Sequence, residues 1–152
     1  MRSDIAFSPE IANKAFSLIL PTIQGMMKNN VVKRGHLYLA SAWIPPANPH
    51  TDVVPVMEHS IGEVSSWASD YKLVALGKLR IAARTKMSSR EVAEDYPELL
   101  LEGEPRWPGA VIIGDVGATA SGVEAEFDEL CAYMYAHAIN ALRYNAPRET
   151  AA

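Results

Sequence analysis

The sequence is poor in cysteine, in clustered positive charge and in long apolar runs. Its 152 residues include one cysteine, and 14 Lys and Arg stand against 18 Asp and Glu, giving a formal net charge of −4. One cysteine excludes an internal disulfide, and Cys131 lies at helical spacing among apolar residues, which favours a buried side chain over a nucleophile. The lack of a basic block argues against nucleic acid and anionic membrane as partners. Because no stretch has signal-peptide or membrane-spanning character, we expect a cytoplasmic protein.

Length and composition predict one domain. Apolar residues make up 49% of the chain, which is enough to bury a sizeable core. We therefore expect a single domain over residues 1–152, with 142–152 as a flexible tail. The glycines of the GDVGATASG segment do not have the G-x-G-x-x-G spacing, which disfavours a parallel dinucleotide-binding fold.

The pattern of helix and strand signals predicts an antiparallel sheet. Ser8 and Pro9 are typical of a helix start, and Pro21 is expected to kink or split that helix. Further on, the predicted elements are strands at 36–44 and 53–61, a helix over 67–83 and a capped helix over 88–101. Pro55 suits an edge or a bulge better than a central strand position. The order of these elements predicts an α+β domain in which helices pack on an antiparallel sheet, in a profilin-like or PAS-like arrangement.

The segment 109–140 is the most informative stretch. It consists of a short apolar strand, a glycine-rich turn and an amphipathic helix, with Ser121 and Glu124 at capping-box spacing. Asp115 falls inside the apolar strand, where a carboxylate needs a partner or a raised pKa. Such carboxylates are common at working sites, although a cation of the preceding helix could simply neutralise this one; the candidates are Lys78, Arg80 and Arg84.

Three motifs in this order resemble the GlcG/HbpS-like haem-binding family, also seen as the C-terminal domain of PduO-type proteins. They are the IIGDVGATASG segment at 112–122, the YKLVALGK-to-Arg84-Thr85 helix and the Gly103-Glu104-Pro105 turn. The resemblance implies haem as the first candidate ligand, a function in catabolism and a homo-oligomeric state. Any haem would be bound non-covalently, because the sequence lacks Cys-x-x-Cys-His.

The predicted ligand site is a cleft between the sheet, the Trp107 turn and a turn at 117–121. Tryptophan and tyrosine rings provide flat surface for a planar ligand, and arginine beside tryptophan can hold a carboxylate while the ring stacks. The same aromatic residues would serve equally well in core or oligomer packing. The candidate ligand-binding residues are Arg84, Arg106, Trp107, Asp115, Gly117, Thr119 and Ser121.

A second candidate site combines Glu58, His59 and Glu63. Histidine with carboxylates is suited to bind a divalent cation, here through His59 and Glu63, or to move protons near neutral pH; solvated charges at a strand end are the simpler explanation. The rival function is therefore a cofactor-independent lyase or isomerase. Its histidine would act with either glutamate on a small carboxylic acid oriented by Arg106 or Arg84. An accessory subunit of such an enzyme is the third possibility.

Overall fold

The computed structural model describes residues 7–45, 53–62 and 70–151, with side chains through Asn145. Its helices and strands, in chain order, are α1 (Pro9–Lys28), β1 (Leu37–Trp43), β2 (Met57–Ile61), α2 (Tyr71–Thr85), α3 (Ser89–Asp95), a short 3-10 helix (Pro97–Leu99), β3 (Ala110–Ile113), β4 (Val116–Ser121) and α4 (Ala125–Ala151). The strands pair in the order β2-β1-β4-β3 and every pairing is antiparallel. The predicted α+β class, with helices on an antiparallel sheet, is confirmed.

Helices cover both faces of the sheet. Side chains of alternate strand residues point to opposite faces, so the central strands β1 and β4 are buried on both. Leu37 and Leu39 contribute to the larger core beneath α1 and α4. Tyr38 and Ala40 instead pack against α2. The sheet therefore separates two environments, and a side chain's strand position decides which one it occupies.

The N-terminal helix begins where the sequence predicts it. Ser8 has an extended backbone and its Oγ accepts the Ile11 amide at 3.2 Å, while Pro9 takes the first helical position. Pro21 was expected to kink or split this helix; α1 is continuous through it, so the helix is not split, and the kink stays a prediction. The tertiary contacts of α1 with α4 and β2 outweigh the hydrogen bond that proline removes.

The predicted turn at 117–121 is wrong, because these residues form β4. The chain reverses earlier, at Gly114 and Asp115, and Gly114 has a φ of +65°. Small residues suit β4 because α2 packs directly on it: a Cβ on Gly117 would lie 3.0 Å from Leu79 Cδ1. Glycine is typical of turns, but Gly117 instead allows α2 to cover a central strand closely.

The start of α4 also differs from the predicted capping box. Ser121 belongs to β4, and the helix begins at Ala125. Asp128 Oδ1 accepts the Val123 amide at 3.1 Å, so a carboxylate near the start of the helix fixes the connection that precedes it. The helix continues to Ala151. The flexibility of residues 142–152 stays a prediction.

The helix predicted over 67–83 corresponds to α2. The helix begins at Tyr71 with Asp70 as its cap, whose Oδ1 accepts the Leu73 amide at 3.1 Å; Trp67 lies outside the described residues.

Within the described ranges, each helix is too short or too polar to cross a lipid bilayer.

Candidate functional site

A cavity of about 460 Å³ opens on the α2 side of the sheet, beside the start of α4. It is bounded by the loop after α1, the first half of α2, the Trp107 turn, the end of β4 and the β4–α4 connection. The lining residues are Lys33, Arg34, Tyr71, Val74, Lys78, Trp107, Ser121, Gly122, Val123, Glu124, Ala125 and Asp128. We call this cavity the α4 pocket.

A buried ion pair is part of the α4 pocket. Lys78 is 2% exposed and Asp128 is 3% exposed, and their Nζ and Oδ2 atoms are 3.6 Å apart. Lys78 Nζ also donates to Ala120 O at 3.1 Å. Burial lowers the pKa of Lys78, and the negative charge of Asp128 opposes that shift. Burial likewise raises the pKa of Asp128 to about 6, against the opposing effect of Lys78.

Exposed cations contribute a second part of the lining. Lys33 and Arg34 are both solvent-exposed. Lys33 donates its backbone amide to Glu124 Oε1 at 2.9 Å, which ties this loop to the start of α4. Within the described residues, the other oxygen, Glu124 Oε2, is buried and has no hydrogen-bond partner. The lining therefore combines three cationic side chains with two carboxylates.

Aromatic rings provide the third part. The Tyr71 ring is buried, and its hydroxyl lies 3.5 Å from Arg34 Nη1. Trp107 is 62% exposed, but its carbonyl accepts a hydrogen bond from Ser89 Oγ at 3.0 Å. The backbone at Trp107 is thus anchored to α3 while its indole is left open to solvent, which suits stacking against a flat ligand.

Gly109 holds the Trp107 turn close to Lys78. Its φ is +147°, and a Cβ built there would lie 2.6 Å from both Ala120 O and Lys78 Nζ. Any larger residue would therefore push against the strand and against the buried amine. This glycine is required by the close approach of three segments.

Two of the seven predicted ligand-binding residues, Trp107 and Ser121, line the α4 pocket. Thr119 is buried behind it, with its Oγ1 donating to Ala75 O at 2.7 Å, and Gly117 packs under Leu79. Arg106 is exposed and outside the lining. The remaining two predicted residues, Arg84 and Asp115, are engaged in ion pairs elsewhere.

Arg84 and Asp115 each make charge-assisted hydrogen bonds outside the α4 pocket. The guanidinium of Arg84 makes two hydrogen bonds to the Glu104 carboxylate, at 2.8 and 2.7 Å, and fixes the loop after the 3-10 helix. Asp115 accepts from Arg143 Nη2 at 2.6 Å and from Trp43 Nε1 at 2.9 Å. The neutralising cation is therefore Arg143 of α4, and none of the three α2 cations considered from the sequence. Asp115 stands at the opposite end of β4 from the pocket, about 20 Å away along the strand.

The structure does not bring Glu58 and His59 together. As neighbours on β2 they point to opposite faces of the sheet. Glu58 accepts from the Tyr38 hydroxyl at 2.5 Å and pairs with Lys72 Nζ at 3.0 Å, and these partners lower its pKa. Glu63 lies outside the described residues.

His59 belongs to a buried network on the α1/α4 side. Its ring stacks on Phe16 with centroids 3.9 Å apart, and its Nε2 lies 2.8 Å from the Tyr135 hydroxyl. That hydroxyl is also 3.0 Å from Ser41 Oγ. Burial lowers the pKa of His59 to about 4, so its imidazole is neutral near pH 7. Among the residues whose positions are described, no cluster of three His, Cys, Asp or Glu side chains could hold a metal ion.

Sequence reasoning missed Lys78 and Asp128 as pocket residues. A signal existed, because each charged residue falls on the buried face of an amphipathic helix: Lys78 three residues after Ala75, and Asp128 seven before Tyr135. A charged residue at such a position requires a partner. The identity of that partner could not be read from the sequence, because Lys78 and Asp128 are far apart in the chain.

No protein-family model, curated protein or solved structure matches the chain. The resemblance to the GlcG/HbpS-like family therefore stays a prediction. The chemistry of the α4 pocket has to be argued from its own residues.

Proposed function

We propose that the protein binds a small, partly planar carboxylic acid in the α4 pocket. The observation that carries the proposal is the union of exposed cations, open aromatic surface and a buried ion pair around one cavity of about 460 Å³. Cavities of about 300–1,000 Å³ are typical of small-molecule sites. The ligand's acid group would meet Lys33 and Arg34, and its flat part would lie against Trp107.

Electrostatics supports an acidic ligand although the whole chain is negative. Arg34 and Lys33 offer donors for charge-assisted hydrogen bonds to a carboxylate. The β4–α4 connection adds the positive end of the α4 dipole, which favours negative charge within the first turn. Asp128 and Glu124 already place two carboxylates at this end of the helix, where they accept the Val123 and Lys33 amides. The two exposed cations therefore provide most of the attraction.

Haem fits this lining poorly. Haem iron in proteins is held by histidine, cysteine, methionine or tyrosine, and the pocket supplies a single tyrosine, Tyr71, from that set. The Tyr71 hydroxyl already lies against Arg34, and the ring packs on His36 at 5.0 Å between centroids. His59 is on the other side of the sheet. Haem therefore enters the test below as a competing ligand.

The proposed function is tested by titrating the purified protein with 3-phenylpropionate and with its uncharged amide, using calorimetry and the fluorescence of tryptophan. We expect saturable binding of the acid, weaker binding of the amide, and weakening of acid binding by added salt. Arg34→Gln should weaken acid binding by up to about fivefold, because an exposed ion pair contributes up to about 1 kcal/mol. Trp107→Ala should weaken both ligands.

Lys14→Gln is the matched control. It removes one exposed cation from α1, on the far side of the sheet, where Lys14 pairs only with Glu10 within the described structure. If Lys14→Gln and Arg34→Gln weakened acid binding equally, net charge alone would explain the effect, and the proposal would be contradicted. If hemin bound saturably, did not compete with the acid and no longer bound to His36→Ala, haem would be assigned to another site.

A further inference from the structure

The α4 pocket contains an amine that is buried yet lines open space. Lys78 Nζ has two partners in the described structure, Ala120 O at 3.1 Å and Asp128 Oδ2 at 3.6 Å. The second distance exceeds that of a good hydrogen bond. An ammonium group has three N–H donors, whereas a neutral amine has two and a lone pair. Within the described residues, these two acceptors leave one of the three positions around the nitrogen without a protein partner, and the cavity lies beside Lys78.

The surroundings of Lys78 favour a reactive amine. At 2% exposure the side chain is removed from water, and burial disfavours its charged form. Asp128 is also buried, and burial favours its protonated form. One proton can thus be exchanged between the two groups over a short distance. Lysines desolvated in this way act as nucleophiles toward carbonyl groups.

The position of the amine relative to the exposed cations suggests the ligand class. Lys33 and Arg34 lie at the solvent side of the lining, whereas Lys78 is covered by the sheet and the Gly109 backbone. A ligand whose carboxylate meets the cations and whose flat part lies against Trp107 would present the atoms between them to the amine. If one of these atoms is a carbonyl carbon, the ligand is an oxo acid.

We propose that Lys78 forms a Schiff base with the carbonyl group of an oxo acid held in the α4 pocket. The inference rests on the proposed function, and adds a covalent step to it. The Nζ lone pair attacks the carbonyl carbon and forms a C–N bond, giving a carbinolamine. The two hydrogens of the amine then leave with the former carbonyl oxygen as water, and a C=N bond remains. Asp128 is the group that carries a proton from nitrogen to oxygen. No oxidant or reductant takes part.

The step is tested by trapping. The full chain is incubated with phenylpyruvate and sodium cyanoborohydride, which reduces the C=N bond to a stable secondary amine, and the labelled lysine is identified by peptide mass spectrometry. We expect one adduct, on Lys78, with exposed Lys14 labelled more slowly, because a lowered pKa raises the fraction of neutral amine at a given pH. Phenyllactate, which has a hydroxyl in place of the carbonyl, should leave no adduct and should slow labelling by competition.

Variants separate the covalent step from binding. Lys78→Arg should abolish the adduct. Because that variant alters a buried pair and can fail to fold, Arg34→Gln serves as the second variant, which should keep the fold and require more phenylpyruvate for half-maximal labelling of Lys78. Asp128→Asn should slow labelling more than it weakens phenyllactate binding.

The two proposals fail in different ways. If phenyllactate binds saturably but Lys78 of the folded wild-type chain is not labelled, the Schiff base is wrong and the proposed function stands. If neither acid binds and label appears evenly on surface lysines, both are wrong. Labelling of Lys78 that ignores phenyllactate and Arg34→Gln would mean a reactive lysine without a ligand site, which also contradicts the inference.

Discussion

Removal of the Asp115 carboxylate should be among the most damaging single changes to this fold. Asp115 sits in the β3–β4 turn, with its side chain 3% exposed, and Arg143 of α4 is 7% exposed. Two guanidinium contacts, at 2.6 and 3.3 Å, join them. The same carboxylate accepts the Trp43 indole N–H. In Asp115→Ala the buried guanidinium loses its counter-charge and the indole loses its acceptor.

The magnitude follows from the asymmetry between breaking and replacing a buried ion pair. Loss of one partner of such a pair costs about 3–5 kcal/mol, because a buried charge is left uncompensated. For a domain of this length each kcal/mol lowers Tm by about 2–4 °C, so we expect a fall of roughly 6–20 °C. Total stabilities of about 5–15 kcal/mol leave the variant folded but weakened.

The assay is urea unfolding followed by far-UV circular dichroism, because tryptophan fluorescence would report the altered surroundings of Trp43. Asp95→Ala, which removes an exposed carboxylate at the end of α3, is the control and should change the free energy of unfolding by no more than about 0.5 kcal/mol. Arg143→Met combined with Asp115→Ala should cost less than the sum of the single changes. A loss below about 1 kcal/mol in Asp115→Ala, or strict additivity in the double variant, would refute the reasoning.

Two further predictions concern the Trp107 turn and the His59 network. Gly109→Ala, at φ +147° and with its Cβ forced against backbone, should lower the free energy of unfolding by about 1–3 kcal/mol or more, and by more than Gly103→Ala, whose Cβ at φ +83° meets open space; the urea midpoints of both variants decide this. The pKa of His59 is lowered from 6.5 to about 4, so the unfolded chain takes up its proton first and the stabilisation present above pH 6.5 is lost as pH falls toward 4. In His59→Gln the decline of unfolding free energy over this pH interval should be shallower, and an unchanged slope would count against the assignment.

Two of the local capping signals in the sequence were confirmed, whereas the capping box at Ser121 and the turn at 117–121 were not. Ser8 with Pro9 and Ser88 with Glu91 mark helix starts at which each serine hydroxyl accepts an amide three residues ahead. Those contacts lie within one helical turn, so residue order alone specifies them. The apolar periodicity of the C-terminal segment likewise predicted a helix that buries Cys131 and Tyr135.

Long-range signals were harder to interpret. From the sequence, Asp115 was expected in a strand with a partner on α2. In the structure it lies in the β3–β4 turn and pairs with Arg143 of α4. Trp107 and Ser121 line the α4 pocket, whereas Arg84, which was assigned to the same ligand site, is bound to Glu104. The sequence identified which residue types carry chemistry, and their partners depended on packing.

The sequence by itself determined the starts of α1 and α3, the apolar faces and the antiparallel α+β class, because these depend on contacts and periodicities within a few residues. Only the tertiary structure decided that Glu58 and His59 face opposite sides of the sheet, since strand register sets that choice. It alone paired Lys78 with Asp128, from helices far apart in the chain. The α4 pocket exists because antiparallel strand pairing brings the end of β4 beside α2 and the Trp107 turn.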